Sequence, residues 1–118
     1  MAKILTADDA GFVRRWCARV LSDAGHEVIE AANGEEAISR YKEQRPDAVL
    51  LDILMPGIGG LEVLKQLRQH DPDARVAMLT TQGQLDVVVE ARRLGAKDFV
   101  VKPCDTERLL AAINRVLS

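Results

Sequence analysis

Apolar residues fall along this chain in two alternating rhythms, short dense runs and longer stretches in which they return at every third or fourth position. The short runs predict strands over 4–7, 27–31, 48–52, 75–79 and 98–101. The stretches between them predict helices over 11–23, from after Asn33 to about 43, about 61–69, about 86–94 and 106–117. In the first of these helices Val13, Trp16, Cys17, Val20, Leu21 and Ala24 share one face, and in the last Leu109, Leu110, Ile113, Val116 and Leu117 turn inward. Gly25 and Gly95 stop helices, Asn33 with Glu36 forms a capping box, and Pro46 and Asp71-Pro72-Asp73 mark exits.

Five strand-helix units in strict alternation imply a doubly wound five-stranded parallel sheet with right-handed crossovers and helices on both faces, an α/β fold. The unbroken run Ala48-Val49-Leu50-Leu51 fits a strand covered on both sides and therefore central. Neither repeat nor linker divides the chain, so residues 1–118 are expected to form one domain.

Composition adds exclusions. With 16 Lys and Arg against 18 Asp and Glu, the net charge is −2, too little field to attract nucleic acid or an anionic membrane as primary partner. No run approaches the roughly 20 apolar residues of a spanning helix, and the start does not read as a signal peptide, so a cytoplasmic protein is expected. Cys17 and Cys104 are too few and too far apart for a metal motif and read as free thiols.

In doubly wound sheets ligands bind beyond the carboxyl ends of the strands. Those positions hold Asp8 and Asp9, then Asp52, then Thr80 and Thr81, then Lys102 and Pro103. Were the strand order 2-1-3-4-5, the three acids would converge in one crevice, where like charges raise one another's pKa or demand a hard dication such as Mg²⁺. A lysine and a hydroxyl beside them suit an oxyanion, with phosphate the natural candidate. Asp52 ends the most buried strand and is the best-placed nucleophile for an acyl phosphate; Asp8 and Asp9 would hold the metal, and Thr80 and Lys102 would grip phosphoryl oxygens. Singly, each residue has a plainer use: Asp8 or Asp9 as a helix cap, Thr80 as a strand former, Lys102 as a solvated strand end. The conjunction carries the inference.

With these residues in place, the sequence resembles the receiver domains of two-component response regulators, in particular the stand-alone chemotaxis-type ones, over essentially its whole length. The signature consists of Asp8-Asp9, the acceptor region Leu50-Leu51-Asp52-Ile53-Leu54-Met55-Pro56, Thr80 and Lys102-Pro103. The resemblance implies the flavodoxin-like, CheY-like (βα)5 fold with strand order 2-1-3-4-5. It also implies that Asp52 takes a phosphoryl group from a histidine kinase or phosphotransfer protein, as a stoichiometric acceptor assisting its own phosphorylation and dephosphorylation. Mg²⁺ would be held by Asp9, Asp52 and the Leu54 carbonyl, with Asp8 assisting through water. Lys102 would pair with the acceptor carboxylate or phosphate, Lys102-Pro103 would be cis, and Phe99 would change rotamer.

Two features depart from or refine this pattern. Gly59 stands where the family usually has Asp, at a cost of a few tenths of a kcal/mol in helix capping. Leu54 places an apolar side chain beside the acceptor, where it would shield the phosphoryl group from water. On the fourth helix, Val87, Ala91 and Leu94 are expected inward and Leu85, Val88 and Arg92 outward; with Phe99 and the last helix, the outward face would dock a downstream protein. Monomer and phosphorylation-dependent dimer are both compatible with this reading. Trp16 is assigned to the core, and His26 and His70 to solvent.

Rival readings fit less well. A flavodoxin-type cofactor binder would need a phosphate loop where Asp8-Asp9 would repel phosphate. A haloacid-dehalogenase-type phosphatase would need a second Asp in the place of Leu54. A phosphorylation-independent interaction module, and a receiver portion of a longer regulator continuing past Ser118, remain the alternatives.

Overall fold

The computed structural model describes residues 2–81 and 85–118. Its strands are β1 (Lys3–Ala7), β2 (Glu27–Ala31), β3 (Ala48–Leu51), β4 (Val76–Thr80) and β5 (Asp98–Val101); its helices are α1 (Gly11–Asp23), α2 (Gly34–Gln44), α3 (Gly60–His70), α4 (Leu85–Arg93) and α5 (Thr106–Leu117). All strand pairs are parallel, in the order β2-β1-β3-β4-β5. The expected fold and central strand are therefore present, with element ends displaced by a residue where caps and the last ladder bond decide the boundary.

Side-chain alternation along the strands explains why the sheet is covered twice. Val49 and Leu51 of β3, with Val76 and Met78 of β4, belong to one core cluster, whose helical members include Val63, Leu64 and Leu67 of α3 and Ala91 of α4. Ala48 and Leu50, with Ala77 and Leu79, belong to the other, with Cys17 and Leu21 of α1 and Leu109, Ala112, Ile113 and Val116 of α5. A period-2 strand buried on both faces must be apolar at every position, as the β3 run is.

The helix boundaries follow their chemistry. Asn33 caps α2, its Oδ1 accepting from Glu36 N at 2.8 Å, while Glu36 reaches back to Ala32 N at 3.0 Å, one residue earlier than a simple capping box. Gly25 takes φ 94° beyond the end of α1. Ala24, expected on the buried face, is exposed because it is already the C-cap of α1. Trp16 is half-buried against the second core cluster, as assigned. His26, assigned to solvent, is half-buried and accepts a hydrogen bond from Ala2 N at Nδ1, 3.1 Å away. No helix among the described residues is long and apolar enough to cross a membrane.

Candidate phosphoacceptor site

The register of β1 and β3 builds the site. Ala7 pairs with Leu51, and one step further Asp52 N donates to Ala7 O at 3.0 Å, so the chains leave the sheet side by side with Asp8 and Asp52 level. Ligand oxygens of Asp8, Asp9 and Asp52 all lie within 4.8 Å of one another, Asp8 and Asp52 buried and Asp9 exposed. The expected convergence is present.

From two strands away, Lys102 follows β5, held by its own N–H donating to Thr80 O at 2.8 Å. Its ammonium donates to Asp8 Oδ2 at 2.7 Å and stands 3.4 Å from Asp52 Oδ2. The Lys102-Pro103 bond is cis. Thr80 is fully buried at the end of β4, opposite Val101 of β5.

Three carboxylates and one ammonium leave an excess of negative charge in a crevice where Asp8 and Asp52 are buried. Burial pushes the Asp52 carboxyl above its ordinary value, Asp8 pushes the same way, and Lys102 opposes both. Burial alone would lower Lys102, but the hydrogen bond to Asp8 and the charge of Asp52 outweigh it and hold the ammonium above its ordinary value. The donors are hard oxygens in excess negative charge, a set that fits Mg²⁺ better than a soft metal.

Leu54, two residues after Asp52, is 51% exposed, and its N–H donates to Asp52 Oδ1 at 3.4 Å. Gly59 is the N-cap of α3 and supplies no side-chain bond, as its departure from the pattern implies. A more stringent glycine is Gly60, which the sequence reading passed over: a Cβ there would fall inside the Asp52 carbonyl oxygen and 2.7 Å from Ile53 Cα. The reading also missed Arg14, which donates from Nη1 to Asp8 O at 2.7 Å and from Nε to Glu30 Oε1 at 3.1 Å. An Arg six residues after an Asp carries no pattern of its own, and the contact depends on β2 lying beside β1.

Beside Lys102, on the α1 side, lies a mostly apolar cavity of about 520 Å³ whose lining includes Phe12, Trp16, Leu79, Lys102, Pro103 and Cys104. Cys17 and Cys104 are free thiols, as read; burial pushes the Cys17 thiol up to about 12.

Farther out, Phe99 is half-buried against the first core cluster, as are Val87 and Leu94. Leu85 is 78% exposed and Arg92 is exposed, as expected, but Val88 is half-buried and Val89, at 55% exposure, takes its place outside. The two positions lie about 100° apart on a helix, and only the contact with the sheet decides between them. The outward apolar set is Leu85, Val89 and, on β5, Val101.

A doubly wound sheet with three carboxylates and a lysine at the carboxyl ends of its first, third and fifth strands defines a class of acid-lined, oxyanion-handling α/β proteins. The sequence profile of the response regulator receiver domain matches residues 4–114, and the chain belongs to that family. It is 42% identical over 115 residues to the chemotaxis protein CheY of Thermotoga maritima, across 97% of this chain and 96% of that protein. Among solved structures, the CheX-CheY-BeF3-Mg²⁺ complex from Borrelia burgdorferi contains a chain superposing with a TM-score of 0.95 at 34% identity, over 98% of this chain and 89% of that one. NtrX from Brucella abortus in complex with ADP superposes with a TM-score of 0.93 at 35% identity; the match covers 98% of this chain but only 27% of NtrX.

Proposed function

We propose that the protein is a phosphorylation-activated receiver in two-component signalling, with Asp52 the phosphoacceptor. The observation that carries this reading is the convergence of Asp8, Asp9 and Asp52 oxygens within 4.8 Å, beside the Lys102 ammonium. A carboxylate oxygen of Asp52 attacks the phosphorus of a phosphohistidine on a histidine kinase or phosphotransfer protein. The new P–O bond forms as the P–N bond breaks, and the electron pair leaves with the imidazole nitrogen. When bound, Mg²⁺ would supply charge neutralisation for phosphoryl oxygens. Asp9, Asp52 and the Leu54 carbonyl would hold it, with Asp8 assisting through water; Lys102 and Thr80 would bind phosphoryl oxygens.

An aspartyl phosphate adds close to two negative charges at one rim of the sheet. In this reading Thr80 and Phe99 pass the change to the face of α4, β5 and α5, where Leu85, Val89, Arg92 and Val101 meet a downstream protein target. The protein then acts stoichiometrically, in the cytoplasm, as a monomer or a phosphorylation-dependent dimer. Intact mass and acid lability after incubation with a small phosphodonor and Mg²⁺ test the acceptor. The wild type gains one acid-labile phosphoryl group and Asp52→Asn gains none; a labelled Asp52→Asn overturns the assignment, and an inert wild type favours a phosphorylation-independent module.

A further inference from the structure

The segment Asp8 to Ala10 joins β1 to α1 and carries two of the three acids, yet Ala10 gives α1 no side-chain cap. Its backbone is held in other ways. Asp8 N donates to Ala31 O of β2 at 3.1 Å, and Asp8 Oδ1 accepts from Ala10 N at 2.9 Å. The third tie is the Arg14 guanidinium, which grips Asp8 O at 2.7 Å and is itself anchored by Glu30 Oε1 of β2 at 3.1 Å. Arg14 is well covered, its side chain 17% exposed.

We infer that Arg14 is a positioning residue for the divalent-cation site, acting through the Asp8–Asp9 peptide. The carbonyl it holds and the amide of Asp9 belong to one rigid plane. Fixing that oxygen therefore fixes where the Asp9 backbone starts, and Asp9 is exposed, so its backbone has the main part in placing its carboxylate. Arg14 delivers two donors in a fixed fork, one to the loop and one to β2, a geometry that the single ammonium of Lys does not reproduce. The inference rests on the proposed Mg²⁺ site.

Its sign separates it from simple electrostatics. A cation near a dication site repels the dication, so by charge alone loss of Arg14 tightens Mg²⁺ binding. By positioning, loss of Arg14 loosens the ligand set and weakens binding, by roughly tenfold when a group supporting metal ligands is removed.

The experiment is calorimetric titration of Mg²⁺ into the wild type, Arg14→Ala and Arg14→Lys, with circular dichroism and thermal melting of each in chelator to establish folding. Arg14→Ala should bind Mg²⁺ about tenfold more weakly, and Arg14→Lys, which keeps the charge but not the fork, should lie between it and the wild type. Unchanged or tighter binding in Arg14→Ala overturns the inference. If Arg14→Ala does not fold, Arg14→Lys decides: wild-type affinity overturns the inference and weakened affinity supports it. A wild type that takes up no Mg²⁺ removes the metal site itself, and this inference with it; a wild type that binds beside equally tight variants removes this inference alone.

Discussion

Lys102 makes its shorter bond to Asp8, 2.7 Å from Nζ to Oδ2, although the two residues lie 94 positions apart and Asp52 is the proposed acceptor. The distance to Asp52 is 3.4 Å. Asp52 is thus the less neutralised of the two buried acids, which suits its proposed role as the group that bonds to phosphorus.

Replacing the lysine should make the crevice less stable and more hungry for metal. Lys102→Met leaves Asp8 and Asp52 without their shared cation and should lower metal-free stability by about 1–3 kcal/mol, read from urea unfolding. Millimolar Mg²⁺ should restore most of that loss, and Mg²⁺ affinity should rise, opposite in sign to the effect of Arg14→Ala. An equal loss with and without Mg²⁺ would assign Lys102 to packing alone.

Asp52→Asn carries a pH signature. Because burial and Asp8 raise the folded-state pKa of Asp52, ionising it weakens the fold as pH rises from the ordinary carboxylate range through the raised value. Asp52→Asn removes that penalty, so in chelator it should be the more stable protein at neutral pH, by a margin that shrinks as pH falls through the raised value towards the ordinary carboxylate range. Melting curves at several pH values measure it; a margin independent of pH would contradict the assigned cause.

Asp98 has the opposite sign. Burial would raise its carboxyl, but hydrogen bonds from Arg108 and from Phe99 N hold it below the ordinary value. Its contribution is present above the ordinary carboxylate range and lost as pH falls through the depressed value. Arg108→Ala should therefore cost about 1 kcal/mol at neutral pH, the guanidinium being partly screened by solvent, with the deficit narrowing in acid. Urea midpoints across that range give the answer.

At Gly60 propensity and geometry disagree. A Gly to Ala change within a helix ordinarily gains about 0.5–1 kcal/mol. Here the added methyl meets the Asp52 carbonyl and Ile53 Cα, so Gly60→Ala should destabilise by about 2 kcal/mol or more and slow phosphorylation of Asp52. A stabilised Gly60→Ala protein would show that α3 can withdraw from the acceptor strand without loss.

Leu54 stands half in solvent beside Asp52, the proposed acceptor. If its side chain keeps water from the phosphoryl group, Leu54→Asn should shorten the lifetime of the phosphorylated protein several-fold, followed as loss of acid-labile phosphate. An unchanged lifetime would remove Leu54 from the account.

What the sequence disclosed follows from how local each signal is. Ala48 to Leu51 announces a doubly covered strand because its two neighbours in space are both apolar cores, and an acid directly after it stands out. Asp8, Asp9 and Lys102 were legible for the same reason, as polar residues at strand ends. The preference of Lys102 for Asp8, the place of Arg14 between β1 and β2, and the need for Gly60 were not. Each depends on an approach between segments distant in sequence, which no local spacing encodes. Val88 of α4, expected outward, is half-buried, because adjacent valines on a nine-residue helix leave its rotation undetermined until the helix packs.

The cavity beside Lys102 has a practical corollary. Trp16 is the chain's sole tryptophan and forms part of the wall that Lys102, Pro103 and Cys104 complete. An indole sharing a cavity wall with Lys102 should sense changes in charge around that lysine. Its emission should register occupancy there, giving this molecule an intrinsic optical gauge of the crevice that needs neither a dye nor a label.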